Sequence, residues 1–444
     1  MSKRVLLGAL MAAIGALALV AAGCGGGGGG GKKSSSGGGG TVSGLPSSCS
    51  SVYYDASGKP DNYIVSDLPL QGAGRAQTAE MVKAIKFAIK QKNFKAGKYK
   101  IGYVSCDDST AQQGAWEPAK CTSNGQAYAS TKSVIGIIGT FNSGCAELII
   151  PIANRAPDGP LAMTSPANTL VGITAAGPGA APGEPDKYYP TGKRNYTRVV
   201  ANDKYQGAAD AMWAKAQGVK KVFVLNDKQV YGFGVAFNFR RAAQKLGLSV
   251  AGFQGWDAHA SSYEALANTI KQTGADAIFL GGIVCNNGSK LIKDLRAGVP
   301  NATLYMPDGF SDPKSNGPAA NGQFVSVAGE PPANLKGPGA QFISKFKAQI
   351  GATPNPYSAY GAQAMDVMLD AVSRSDGTRA SVTDALFKTH IANGILGNIS
   401  FDKNGDLAST SGHPITIYKQ QGKDLNPLKT ITPPPSLVGA TTGG

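Results

Sequence analysis

Ser143 and Gly144 follow a short, wholly apolar run, SVIGIIGT (133–140), and precede a stretch with helical spacing. A helix starting there would present free backbone N–H groups and a hydroxyl, a setting suited to a carboxylate. Ala167, Asn168 and Thr169 leave the next apolar run, PLAMTSP (160–166), and Asp308 leaves a third, ATLYM (302–306). Amide donors and hydroxyls at one end and an acid at the other are what a zwitterion needs for its carboxylate and ammonium. Turn and cap residues alone give the same pattern. The assignment therefore depends on elements that bring three distant segments together.

Other chemistries fail on spacing. YGFG (231–234) follows the apolar run KKVFVLND (220–227) and opens a helix, but Phe237 stands where a dinucleotide loop needs its third glycine. DKNGD (402–406) puts acids at positions 1 and 5 of a calcium loop. Leu407 then occupies the glycine position and His413 the final glutamate position, so the segment reads as a hairpin turn. GAGRA (72–76) lacks the lysine and the length of a P-loop and reads as a strand-to-helix turn. No GxSxG and no CxxC occur, and His259, His390 and His413 have neither a catalytic-base context nor zinc-ligand spacing. No catalytic residue, cofactor or metal is expected.

The positioning elements come from periodicity. Apolar runs at 62–70, 98–108, 133–140, 160–166, 194–200, 220–227, 248–256, 276–284, 302–310 and 322–329 read as strands. Amphipathic stretches at 77–92, 121–130, 146–155, 206–217, 235–247, 263–274 and 290–298 read as the helices between them, the first with Met81, Ile85, Ala88 and Ile89 on one stripe. Such alternation gives parallel sheets covered on both faces. The strands are too many for one comfortable sheet, so the fold class is α/β with two doubly wound parallel-sheet lobes. A ligand would sit at the carboxyl ends of the strands. Helices at 340–350, 357–374 and 381–390 follow, then a hairpin pair through FDKNGD, then a Pro/Gly tail (432–444) expected to be loose.

The chain has 444 residues, 42% of them hydrophobic, and 60 glycines without a G-X-Y period, which excludes both wholesale disorder and collagen. Its formal net charge of +15 comes from scattered basic residues, so attraction to an anionic surface is preferred over nucleic-acid binding. Lys3 and Arg4, then the apolar run 5–20, read as a secretory signal (1–23). Ala21-Ala22-Gly23-Cys24 resembles a bacterial lipobox, which implies lipidation at Cys24, and the Gly/Ser segment that follows (24–58) reads as a tether. No other stretch is long and apolar enough to span a bilayer. The expected place is extracytoplasmic and lipid-anchored, in the periplasm or on the outer face of the cytoplasmic membrane. With Cys24 aside, Cys49, Cys106, Cys121, Cys145 and Cys285 allow at most two internal disulfides. Cys121–Cys145 would tie two strand-end regions, Cys106–Cys121 would close a short loop, and Cys49–Cys285 would need the linker folded back.

Between about residues 62 and 420 these segments resemble the branched-chain amino-acid (Leu/Ile/Val) binding proteins of ABC importers, the type I periplasmic binding proteins. The resemblance is carried by VIGIIGTFNSGCA, PLAMTSPANT, NDKQVYGFG, DAIFLGG, YMPDGF and FDKNGD, in that order. It implies that Ser143 binds the ligand carboxylate and that Ala167 and Thr169 hold the ligand backbone. It further implies that Asp308 pairs with the ammonium and that Tyr231 closes from the second lobe. Gln77, or Arg75, stands where the family has a first-loop aromatic, and Ile283 follows Gly281-Gly282 where leucine binders carry Tyr. A three-crossover Venus-flytrap hinge is implied near residues 200, 330 and 411. Lobe 1 is then 59–200 with 331–411, and lobe 2 is 201–330 with 412–431. The partners implied are a small amino acid or related carboxylate, an ABC permease in the cytoplasmic membrane, and the membrane through the lipid anchor. A monomer that binds no nucleic acid is expected. A sensor of the same fold, signalling to a membrane receptor, is the alternative.

Overall fold

The computed structural model describes residues 39–439. The signal segment and Cys24 lie outside the described residues, as does the glycine tether up to residue 38. Thirteen strands build two sheets. The first contains β1 (Asn62–Leu68), β2 (Lys95–Ala96), β3 (Tyr99–Asp107), β4 (Val134–Gly139), β5 (Ala162–Ser165) and β6 (Tyr196–Arg198), in the spatial order β2-β3-β1-β4-β5-β6. All pairings in it are parallel except β2–β3. The second contains β7 (Lys221–Asn226), β8 (Ser249–Gly255), β9 (Ala277–Gly281), β10 (Thr303–Met306), β11 (Phe324–Ala328), β12 (Ile415–Gln421) and β13 (Asp424–Ile431), in the order β8-β7-β9-β10-β11-β12-β13. Its first five strands are parallel, and β12 and β13 add an antiparallel edge.

Both faces of each sheet are covered, which is why β4 and β9 are apolar and buried along their whole length. In β1, Ile64 and Leu68 join a core with the helices Arg75–Gln91 and Ser358–Ser373, while Val65 joins one with Pro118–Ser130 and Ser143–Asn154. In β7, Phe223 and Leu225 face one helical layer and Val222 and Val224 the other. The predicted stripe Met81, Ile85, Ala88 and Ile89 is buried in the first of these cores.

The chain crosses between the sheets three times: after β6, after β11 and before β12. Gly329 sits at the second crossing with φ +138°, where an added Cβ would collide with the Tyr360 hydroxyl. The first and third crossings are fastened to each other. Asp406 of the DKNGD turn accepts from Arg198 Nε at 2.6 Å and from Thr174 and Asn202, and Arg198 is completely buried. Burial pushes Asp406 upward, but the Arg198 charge and hydrogen bond outweigh it and hold the carboxyl below the usual range. The turn is thus neutralised by a guanidinium, and Phe401 and Leu407 bridge across it.

Several boundaries differ from expectation. Residues 39–58 do not all trail as tether. Ser50 N–H donates to Ser105 at 2.8 Å, Tyr53 N–H donates to Tyr103 at 2.7 Å, and Val42 and Tyr54 are buried. Cys49 is bonded to Cys106 and Cys121 to Cys145, leaving Cys285 as a free thiol. The linker does fold back on the head, but onto the edge of the first sheet rather than toward Cys285. The tail likewise packs as far as residue 439: a turn of helix Pro435–Val438 buries Leu437 and Val438, and Arg241 donates to the Val438 carbonyl at 2.5 Å.

Candidate ligand-binding cleft

The helix Ser143–Asn154 starts three residues earlier than its periodicity suggests, with extended Asn142 as N-cap, so Ser143 and Gly144 form its first turn. Free N–H groups there point away from the helix body and carry the positive end of its dipole. Gly144 has a steric reason to be glycine: a Cβ would lie 2.6 Å from the Trp116 ring. Trp116 comes from a small hairpin, Ser109–Thr110 with Ala115–Trp116, that periodicity did not reveal. The Cys121–Cys145 disulfide anchors the same helix end to the helix Pro118–Ser130.

The loop after β5 is ordered by Ser165. Its hydroxyl donates to the Thr140 carbonyl at 3.0 Å and accepts from the N–H groups of Ala167 (3.1 Å) and Asn168 (2.8 Å). Asn168 does not reach the cleft, contrary to expectation. It is fully buried, donates to the Phe141 carbonyl at 3.0 Å and accepts from Tyr196 at 3.2 Å, so it ties the loops after β4 and β5 together. The buried Thr169 hydroxyl lies beside the carboxyl of Asp203.

Asp308 follows β10 on the opposite side. One carboxylate oxygen accepts from Tyr231 at 2.5 Å, the other from Tyr357 at 2.6 Å. Tyr231 lies in the first turn of the helix Val230–Lys245, and Tyr357 precedes the helix Ser358–Ser373 on the first sheet, so Asp308 is held from both halves. Burial raises Asp308 despite the tyrosine hydrogen bonds that oppose it. Asp203, at the start of the helix Asp203–Ala216, is wholly buried, and burial pushes it up to about 8 against the hydrogen bond from the Thr169 hydroxyl beside it. Among the described residues neither acid forms an ion pair. Asp308, buried in the cleft wall without an ion-pair partner, favours a positively charged group beside it.

Ser143, Gly144, Ala167, Thr169, Tyr231 and Asp308, drawn from four segments of both lobes, line one narrow cleft. Trp116, Phe141, Val230 and Ile283 supply its apolar wall. A second narrow space shares Trp116, Phe141, Ile283 and Asp308 with it and extends to Gln77 and Cys285. Across it Ser311 donates to Gln77 Oε1 at 3.2 Å and Ser315 donates to the Ala73 carbonyl at 2.9 Å, so the halves touch. Asp227, which also lines the cavity, accepts from Asn286, Gln229 and Ile283 and fixes the loops after β7 and β9. Sequence reasoning missed Trp116, Tyr357 and Asp203. Asp203 had a signal, an acid opening a helix just after a crossing strand, whereas Tyr357 is far in sequence from the residue it holds.

A family model described as periplasmic binding protein matches residues 67–423. The chain is 24% identical over 328 residues to an amino acid binding protein of Pseudomonas aeruginosa, covering 73% of this chain and 80% of that one. It is 24% identical over 371 residues to Leu/Ile/Val-binding protein homolog 1 of Brucella suis, covering 80% and 90%. Among solved structures, a leucine binding protein from Thermotoga maritima superposes with a TM-score of 0.72 at 23% identity, over 84% of this chain and 99% of that one. A benzoate-bound solute binding protein from R. palustris superposes at 0.67 with 18% identity, over 84% and 96%. These likenesses, together with the two covered sheets and three crossings, show that the chain belongs to the periplasmic binding protein family.

Proposed function

We propose that this chain is an extracytoplasmic solute-binding protein that captures an α-amino acid of branched-chain size, or a similar small carboxylate, and delivers it to an ABC importer. The carrying observation is that the helix end at Ser143, Thr169 and Asp308 line one cleft between the two halves. Ser143 and Gly144 receive the ligand carboxylate through N–H groups and hydroxyl. The Ala167 carbonyl and Thr169 hydroxyl accept from the ammonium, and Asp308 neutralises it. Tyr231 keeps the Asp308 carboxylate turned toward the ligand.

The three crossings serve as the hinge, with lobe 1 as 59–200 plus 331–411 and lobe 2 as 201–330 plus 412–431. Ligand touching both lobes favours the closed form by its differential affinity, and the permease reads that form. Cys24 carries the lipid that holds the head at the membrane, and the protein works as a monomer without performing a reaction. Support comes from the amino acid and Leu/Ile/Val binding named for relatives that align over most of the chain. A thermal-shift screen of amino acids and small acids tests the proposal. A true ligand at 100 times its dissociation constant stabilises the protein by about 2.7 kcal/mol, and a flat response across the panel would refute it.

A further inference from the structure

The residue that departs most from an aliphatic pocket is Gln77. It sits in the first helical turn after β1, is 4% exposed, and lines the space continuing from Asp308 past Trp116 and Ile283. The Ser311 hydroxyl donates to its Oε1 at 3.2 Å, but the amide nitrogen is buried with no partner. A ligand held at Ser143 and Asp308 extends its side chain into this space, because both cavities share Asp308 and the aromatic wall.

The Gln77 amide nitrogen is sealed from water before any ligand enters, and an aliphatic side chain there would leave its hydrogen bond unmade. A side chain ending in an oxygen would satisfy it. Burying an unpaired polar group costs more than a made hydrogen bond gains, so the discrimination is steep in favour of the polar ligand.

Resting on the amino-acid reading above, we infer that Gln77 selects a ligand whose side chain ends in a hydrogen-bonding oxygen, an amide or hydroxyl, over the purely aliphatic side chain of the same size. The rest of the pocket fits this division of labour. Trp116, Phe141 and Ile283 contact the stem of the side chain, and the Gln77 amide meets its tip.

Two size-matched pairs test this by calorimetric titration of the purified protein: L-asparagine against L-leucine, and L-threonine against L-valine. In at least one pair the polar member should bind roughly tenfold tighter or more. Gln77→Leu, close in volume, should erase or reverse that ratio while its melting curve shows an intact fold. Tighter binding of the aliphatic member in both pairs overturns the inference and leaves the amino-acid reading standing, and so does an unchanged ratio in a folded Gln77→Leu. If none of the four ligands binds and no other α-amino acid does, the amino-acid reading itself fails and the inference falls with it. The wild-type ratios decide the matter even if the variant does not fold.

Discussion

Replacing Asp308 by Asn separates binding from folding, because it should weaken binding while leaving the free protein's stability nearly unchanged. In the free protein Asp308 is a buried acid raised by desolvation, with hydrogen bonds from Tyr231 and Tyr357 and no cation against it. An amide of the same shape keeps an acceptor for one tyrosine and gives up the charge, so free-protein stability should stay within about 1 kcal/mol of wild type. With ligand bound, the ammonium loses its counter-charge in a water-poor cleft. Removing one partner of a buried, hydrogen-bonded charge pair costs about 2–5 kcal/mol, or a rise in Kd of roughly 30- to 4,000-fold. Calorimetric titration and melts of the same preparation read both quantities. A Kd within threefold of wild type would show that Asp308 does not meet the ligand. A stability loss above about 3 kcal/mol would show that it serves folding instead.

The other predictions concern the acids, the free thiol and the hinge. Asp203 titrates near 8 in the folded chain against about 3.9 unfolded. The folded state therefore keeps a proton that the unfolded chain has released, and stability falls as pH rises from about 4 to 8. A ligand ammonium lowers that value, so affinity should increase from about pH 6 to pH 8 and binding should expel a proton, seen as buffer-dependent heats. A pH-independent Kd would refute this, and Asp203→Asn should abolish the dependence. Cys285 lines the space beside Gln77, and burial pushes its thiol up, so alkylation near neutral pH should be slow and should slow further with ligand bound; equal rates with and without ligand would place the ligand elsewhere. Asp406→Ala would leave Arg198 buried and unpaired, costing about 3–5 kcal/mol in denaturant unfolding; a loss below about 1 kcal/mol would show that the crossing is fastened by other groups.

The regular part of this architecture could be read from the chain because buried parallel strands and amphipathic helices repeat with simple periods. Met81, Ile85, Ala88 and Ile89 share a face through spacing alone. The helices at Ser143 and Val230 start three and five residues earlier than their periodicity suggests, because first-turn residues line the cleft and need not follow the apolar stripe. Residues 39–58 looked like tether since glycine and serine dominate there, and their attachment depends on the Cys49–Cys106 bond and backbone pairing to β3, which composition does not encode. At the site, Ser143, Thr169 and Asp308 were legible as hydroxyl and acid at strand ends. Asn168 looked equivalent to its neighbours and differs only in which way its side chain turns. Tyr357 was invisible because its partner, Asp308, is set by the packing of one lobe on the other.

The most direct measurement compares the tightest-binding amino acid with two analogues of the same side chain, one lacking the ammonium and one lacking the carboxylate, in parallel calorimetric titrations. If the Ser143 helix end and Asp308 each grip one end of the molecule, both analogues should bind more weakly by roughly 30-fold or more. Retention of full affinity by either analogue would contradict a two-ended grip and remove the basis for assigning that end of the cleft.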